Sequence, residues 1–148
     1  MSLHRSHDDE KFLAAFAACT LQRSAWTHSA HIRMAWLQLQ NCEAFDPALQ
    51  RIKRSIQVYN AASASNGYHE TITVAFTHLI QYRRLSDRSV RTYEKFFLAN
   101  ADLFAKTPPL LRNHYSEELL NTPAARSQFL APDLKALPIW QHLLGSPV

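Results

Sequence analysis

Three histidines stand where an apolar side chain would be the ordinary choice. His28 and His31 lie in Trp26-Thr27-His28-Ser29-Ala30-His31, and His69 lies in Gly67-Tyr68-His69-Glu70-Thr71-Ile72-Thr73. On a helix, the spacing of His28 and His31 puts both rings on one face within reach of a single ion. His69, from a second helix, supplies the natural third ligand. Three neutral imidazoles with an exchangeable water form an established catalytic arrangement for zinc, and imidazole also suits other transition metals. The expected cofactor is therefore a divalent metal: zinc, iron, nickel or manganese. Glu70 and Asp133 are candidates for a fourth ligand or for a base toward bound water. Tyr68, Thr73 and Tyr115 are placed as partners that orient the rings. The bland alternative is a hydrogen-bonded network of the histidines with Thr27, Glu70 and Tyr115 that locks helix ends together.

Both stretches sit at expected helix starts. Thr27 is a good N-cap for a helix running to about Asn41, and its apolar line carries His28, His31, Ala35 and Leu39. A later helix is expected from about Tyr68 to Arg83 or Arg84, with His69, Ile72 and Phe76 on its buried stripe. Around these, Asp8 is read as the cap of a first helix whose buried face is Phe12, Leu13, Phe16 and Ala17. Asp46-Pro47 is read as the start of a third helix that Asn66-Gly67 ends. Ser86 or Ser89 is expected to cap a fifth, with Val90, Tyr93, Phe96 and Phe97 as core candidates. Beyond Pro108-Pro109 the pattern becomes short helices punctuated by prolines, one of them opened by Thr122-Pro123. An extended tail follows from Pro132. No alternating run reads as a strand. The class is all-α: a single-domain bundle over residues 1–148 of four to five longer helices, with residues 1–7 frayed and the segment 132–148 wrapped over the helices.

Composition narrows the function. At 148 residues the chain is long enough for one sizeable core. Its two glycines, Gly67 and Gly145, cannot build phosphate-cradling loops, dinucleotide fingerprints or nucleophile elbows, which need clustered glycine. The two cysteines, Cys19 and Cys42, lack metal or redox spacing and read as free thiols in a reducing compartment. The opening residues carry no apolar run, so no signal peptide is expected, and no stretch approaches a membrane span. A soluble cytoplasmic protein follows from these two readings. A formal charge of +4 permits nucleic acid as a partner. The basic groups at 51–54 and 83–91 come with no recognisable nucleic-acid motif, and they read as solvated helix faces. A small-molecule ligand ranks above nucleic acid as the partner. Trp36 and the aromatic fifth helix fit a dimer face and a monomer core equally well.

The two histidine stretches, with Tyr115-Ser116, Ala125-Arg126, Phe129 and Pro132-Asp133-Leu134, resemble a family of small bacterial all-helical proteins without an assigned activity. The resemblance covers the chain from about Phe12 to Pro138. It implies that the tail motif belongs with the histidines, which adds Tyr115, Arg126 and Asp133 to the site candidates. The residue set is then His28, His31 and His69 for a metal, Glu70 and Tyr115 for catalysis, and Tyr68, Thr73, Arg126 and Asp133 for a ligand. On spacing alone, Arg126 and Asp133 read as a salt bridge that ties the tail down. The leading expectation is a metal-binding protein, with metal-assisted hydrolysis as its chemistry. Beside it stands a non-catalytic module whose histidine pocket takes a small acidic or polar ligand.

Overall fold

A computed structural model describes residues 6–41, 44–106 and 109–144. Among them are eight α-helices and three 3-10 turns, with no strand, so the all-α class holds. The chain divides into two compact units, Met1–Tyr68 and His69–Val148. His4, Cys42, Pro108, Gly145 and most of the frayed segment expected at the N-terminus fall outside the described residues.

The first unit contains α1 (His7–Ala17), α2 (His28–Gln40) and α3 (Phe45–Ala62), with a 3-10 turn at Arg23–Ala25. Helix α1 is capped two residues earlier than Asp8 would place it. Ser6 caps it in a reciprocal box: its Oγ accepts the Asp9 N–H at 3.0 Å, while Asp9 Oδ2 accepts the Ser6 N–H at 3.2 Å. Thr27 caps α2 as expected, its Oγ1 accepting the Ala30 N–H at 3.2 Å. Helix α3 differs from expectation at both ends. Ala44 precedes it without a side-chain cap, and Asp46 lies inside the first turn, where its charge faces the positive end of the dipole. At the other end, the left-handed residue is Ala64 (φ 55°) and not Gly67, where an added Cβ would meet only Ser65 Oγ at 3.4 Å.

Aromatic packing organises this unit. Phe16 stacks on Trp26 at 4.4 Å between centroids, and Tyr59 closes against both at 5.2 and 5.3 Å. The Tyr59 hydroxyl donates to the Leu21 carbonyl at 2.6 Å, so its one polar atom is satisfied inside the core. Arg33 lies over the Phe12 ring and donates to Asp9 Oδ1 through Nε at 3.1 Å and Nη2 at 2.7 Å. Asp9 is 1% exposed, and its two oxygens serve the α1 cap and the Arg33 guanidinium together.

The second unit holds α4 (Glu70–Ser86), α5 (Tyr93–Ala99), α6 (Ala101–Phe104), α7 (Glu117–Leu120) and α8 (Pro123–Ser127). Its 3-10 turns are Leu110–Asn113 and Gln141–Leu144. Thr92, not Ser86 or Ser89, caps α5, with Oγ1 accepting the Lys95 N–H. In α5 only Phe96 is fully buried; Phe97 is well exposed and packs edge-on against Phe104. Arg83 is no free solvated charge: its guanidinium donates to both carboxylate oxygens of Asp102, at 2.8 and 2.6 Å, and to Asn100. The C-terminal segment is irregular over 129–140, with a bend at 133–135, and closes in the Gln141–Leu144 3-10 turn. Trp140 anchors it by donating its indole N–H to His78 Nδ1 at 2.9 Å.

Thr71 is the buried polar centre of this unit. Its Oγ1 lies 2.6 Å from the Ala125 carbonyl and 2.9 Å from that of Gln128, between which its single proton is shared, and it accepts the Leu130 N–H at 3.1 Å. One hydroxyl thus satisfies three backbone groups at the end of α8. Tyr115 completes the arrangement, donating to the Leu130 carbonyl at 2.7 Å.

Candidate functional site

The sequence candidates are divided between the units. His28, His31 and Tyr68 belong to the first; His69, Glu70, Thr73, Tyr115, Arg126 and Asp133 belong to the second.

In the first unit, His28 and His31 open α2 and both are half-buried. The His31 ring is fixed on two sides. Its Nδ1–H donates to the Thr27 carbonyl at 2.7 Å, and its face lies 3.8 Å from the Trp26 ring, centroid to centroid. With the proton on Nδ1, the lone pair is on Nε2. Burial pushes the imidazole below the ordinary histidine range; the Thr27 bond opposes this, and the charges of His28 and Arg23 add to it. The ring is therefore held neutral, with one nitrogen able to accept a proton or a metal.

His69 is built differently. It precedes α4 as the N-cap and is not on its buried stripe, because the helix begins at Glu70, two residues later than the expected start near Tyr68. The ring takes the part that Ser or Asp usually plays: Nδ1 accepts the Ile72 N–H at 3.2 Å. On the far side Nε2–H donates to the Leu120 carbonyl at 2.8 Å. Both nitrogens are thus committed, and metal ligation by His69 requires giving up one of these bonds. Glu70 and Thr73 are half-buried in the first turn of α4, and Thr73 accepts from the Thr77 hydroxyl through its carbonyl. Among the described residues of either unit, no group of three or more His, Cys, Asp or Glu side chains is arranged to hold a metal ion.

Tyr115 is fully buried, and burial with the nearby charge of Asp133 pushes its phenol up to about 12. Its hydroxyl is a donor to the Leu130 carbonyl. Asp133 is exposed and does not tie the tail down through Arg126. Its oxygens accept the Ser116 N–H at 2.8 Å and the Ser116 hydroxyl at 2.6 Å, and these bonds hold the carboxyl below the usual range. Ser116 Oγ in turn accepts the Leu119 N–H as the cap of α7. The Pro-Asp-Leu motif is therefore a tether for α7.

These bonds frame a cleft that spacing did not reveal. His69 holds the end of α7 at Leu120, and Thr71 holds α8 at Ala125. Thr122 joins the two short helices, donating to the Leu119 carbonyl and accepting from the Ala125 N–H. The space beside them, about 500 Å³, is lined by His69, Ile72, Arg112, Glu117, Leu120, Asn121, Thr122, Pro123 and Arg126. Its charged groups are the Arg112 and Arg126 guanidiniums and the Glu117 carboxylate. Arg112 Nη2 lies 3.6 Å from Glu117 Oε1, with the two side chains 44% and 66% exposed. That distance is beyond a hydrogen bond, so the pair is loose.

No family model matches this chain. No similar curated protein or solved structure was found either. The site must be read from its own chemistry. Arg126 is the single residue common to the sequence candidates and the charged lining; Arg112, Glu117 and Asn121 were missed. The signal was faint: Arg112 lies among prolines and Glu117 in a one-turn helix, where no periodicity marks a face. No described helix is long and apolar enough to cross a bilayer.

Proposed function

We propose that the second unit is a binding module for a small acidic ligand, received in the cleft between the start of α4 and the α7–α8 turn. The observation that carries this reading is the placement of two guanidiniums on a cavity of about 500 Å³ whose walls are tied together by His69, Thr71 and Thr122. The volume lies within the range usual for small-molecule sites. Guanidinium stays charged at every working pH and matches carboxylate and phosphate in shape, so the chemistry supported is recognition, not proton transfer. Titrating isotope-labelled protein with benzoate and, separately, with inorganic phosphate tests it by amide chemical shifts. The expected result is saturable movement of signals from residues 112–126 with at least one of the two anions. Unmoved signals with both would overturn the reading.

A second reading keeps a metal, and the geometry of His31 favours it. With Nδ1–H on the Thr27 carbonyl, the Nε2 lone pair is set in position, and His28 stands one helical turn away. The ligand set expected from the sequence then contracts to His28 and His31, since His69 already uses both nitrogens. Zinc or nickel bound there would polarise a ligand as a Lewis acid. Thermal unfolding in added zinc or nickel is the check. A rise in Tm that His31→Ala abolishes is expected from this reading; no rise in the wild-type protein contradicts it.

A further inference from the structure

His69 joins two helices through the two nitrogens of one rigid ring. Nδ1 accepts the Ile72 N–H at 3.2 Å and so caps α4, while Nε2–H donates to the Leu120 carbonyl at 2.8 Å and holds the end of α7. This pattern needs a neutral imidazole, with one nitrogen bare and the other carrying the proton. A protonated ring carries N–H on both. Nδ1–H then faces the Ile72 N–H, donor against donor, and a positive charge stands at the positive end of the α4 dipole. The ring cannot turn away from Ile72 without carrying Nε2 away from Leu120. From this geometry we infer that His69 is a proton-operated latch: the neutral ring caps α4 and holds the end of α7, and protonation releases both together.

The other ties of α7 stay closed when the latch opens. Asp133 accepts the Ser116 N–H and hydroxyl at the start of α7, and these bonds hold its carboxyl below the usual range. The bonds of Thr122 to the Leu119 carbonyl and the Ala125 N–H involve no titrating group. Release is therefore confined to Leu120 and the α7–α8 turn, one wall of the cleft. The ring is half-buried, so a proton reaches it from solvent. The charged groups around it are Glu70, next in α4, Glu117 with the exposed Glu118 of α7, Arg112 of the 3-10 turn before α7, and Arg126 of α8. Among these side-chain types imidazole alone changes charge between about pH 8 and 5. The latch belongs to the cleft wall whatever the cleft receives, and does not rest on the acidic-ligand reading.

NMR titration of the isotope-labelled full chain between about pH 8 and 5 tests the latch, following the His69 ring and the backbone amides. The Ile72 amide and those of residues 119–122 are expected to move with the His69 ring at one common midpoint. In His69→Asn the side-chain oxygen caps the helix at every pH, while the side chain, shorter than imidazole, does not reach Leu120. Ile72 should then stay fixed, and residues 119–122 should hold at high pH the positions that the wild type reaches in acid. A His69 ring that titrates while these amides stay still, or one that stays neutral throughout, overturns the latch. Wild-type movements retained in His69→Asn would assign them to another histidine, such as His114 on the Lys135 carbonyl, and overturn it equally. The wild-type titration decides by itself if the variant does not fold.

Discussion

Replacing Thr71 with valine is expected to destabilise the second unit by about 2–4 kcal/mol. The change is nearly isosteric, so packing is kept and the loss is polar. The Thr71 side chain is completely buried, and its hydroxyl serves the Ala125 and Gln128 carbonyls and the Leu130 N–H. Valine strands the buried Ala125 carbonyl and weakens the hold on the part-buried Gln128 carbonyl and Leu130 N–H, and a stranded buried backbone group costs roughly 1–3 kcal/mol. Thr71→Ser retains the hydroxyl and should lose only the packing of one methyl, about 1 kcal/mol. Urea denaturation followed by circular dichroism separates the two variants. Equal midpoints for valine and serine would show that the hydroxyl contributes nothing to the hold on α8.

A loss of similar size is expected in the first unit from Asp9→Ala, about 2–3 kcal/mol. Two effects combine. The α1 capping box loses its acceptor for the Ser6 N–H, worth about 1 kcal/mol. Arg33, 23% exposed, also loses the carboxylate that compensates its partial burial. An exposed pair contributes little because water replaces the partner; with Asp9 at 1% exposure, that replacement is restricted on one side only. The value expected therefore lies between the limits for surface and interior pairs. Thermal or urea unfolding measures it, and a shift below 0.5 kcal/mol would mean that the pair behaves as a surface ion pair.

The helices were legible in the sequence where local chemistry decides them. Thr27 before α2, and Thr122-Pro123 at α8, are capping signals whose partners lie within one turn. Local chemistry misled at His69. Its position before Ile72 satisfies both a helical stripe and an N-cap, and only the Ile72 N–H and the distant Leu120 carbonyl distinguish them. Thr71 shows the same limit from the other side. Its partners lie far along the chain, so nothing around it announces a buried junction. Ala64 in the left-handed region is a third case: the end of α3 closes through the Ser65 N–H on the Asn60 carbonyl at 2.8 Å, with alanine and not the glycine three residues on in the left-handed position.

The candidate site divides along the same line. The histidines were found because imidazole in an apolar stripe is odd by composition, and the structure gives His31 and His69 definite hydrogen-bonding roles. The cleft was missed because it is made from the connections between short helices, and only folding brings Arg112 to the wall that Arg126 and His69 share. Of the residues implied by family resemblance, Asp133 and Tyr115 act on backbone and serine groups that hold α7 and the Leu130 segment. They build the frame of the cleft and do not line it.

The central claim is that Arg112 and Arg126 recognise an acid in this cleft, and the double variant Arg112→Gln/Arg126→Gln tests it most directly. Both residues lie at the surface, and circular dichroism and Tm establish that the double variant is folded. Calorimetry with whichever of benzoate and phosphate the wild-type protein binds more tightly is expected to show about a hundredfold loss of affinity, from two charge-assisted contacts at roughly 1.5–3 kcal/mol each. A folded double variant that binds the anion as tightly as the wild type would contradict the claim.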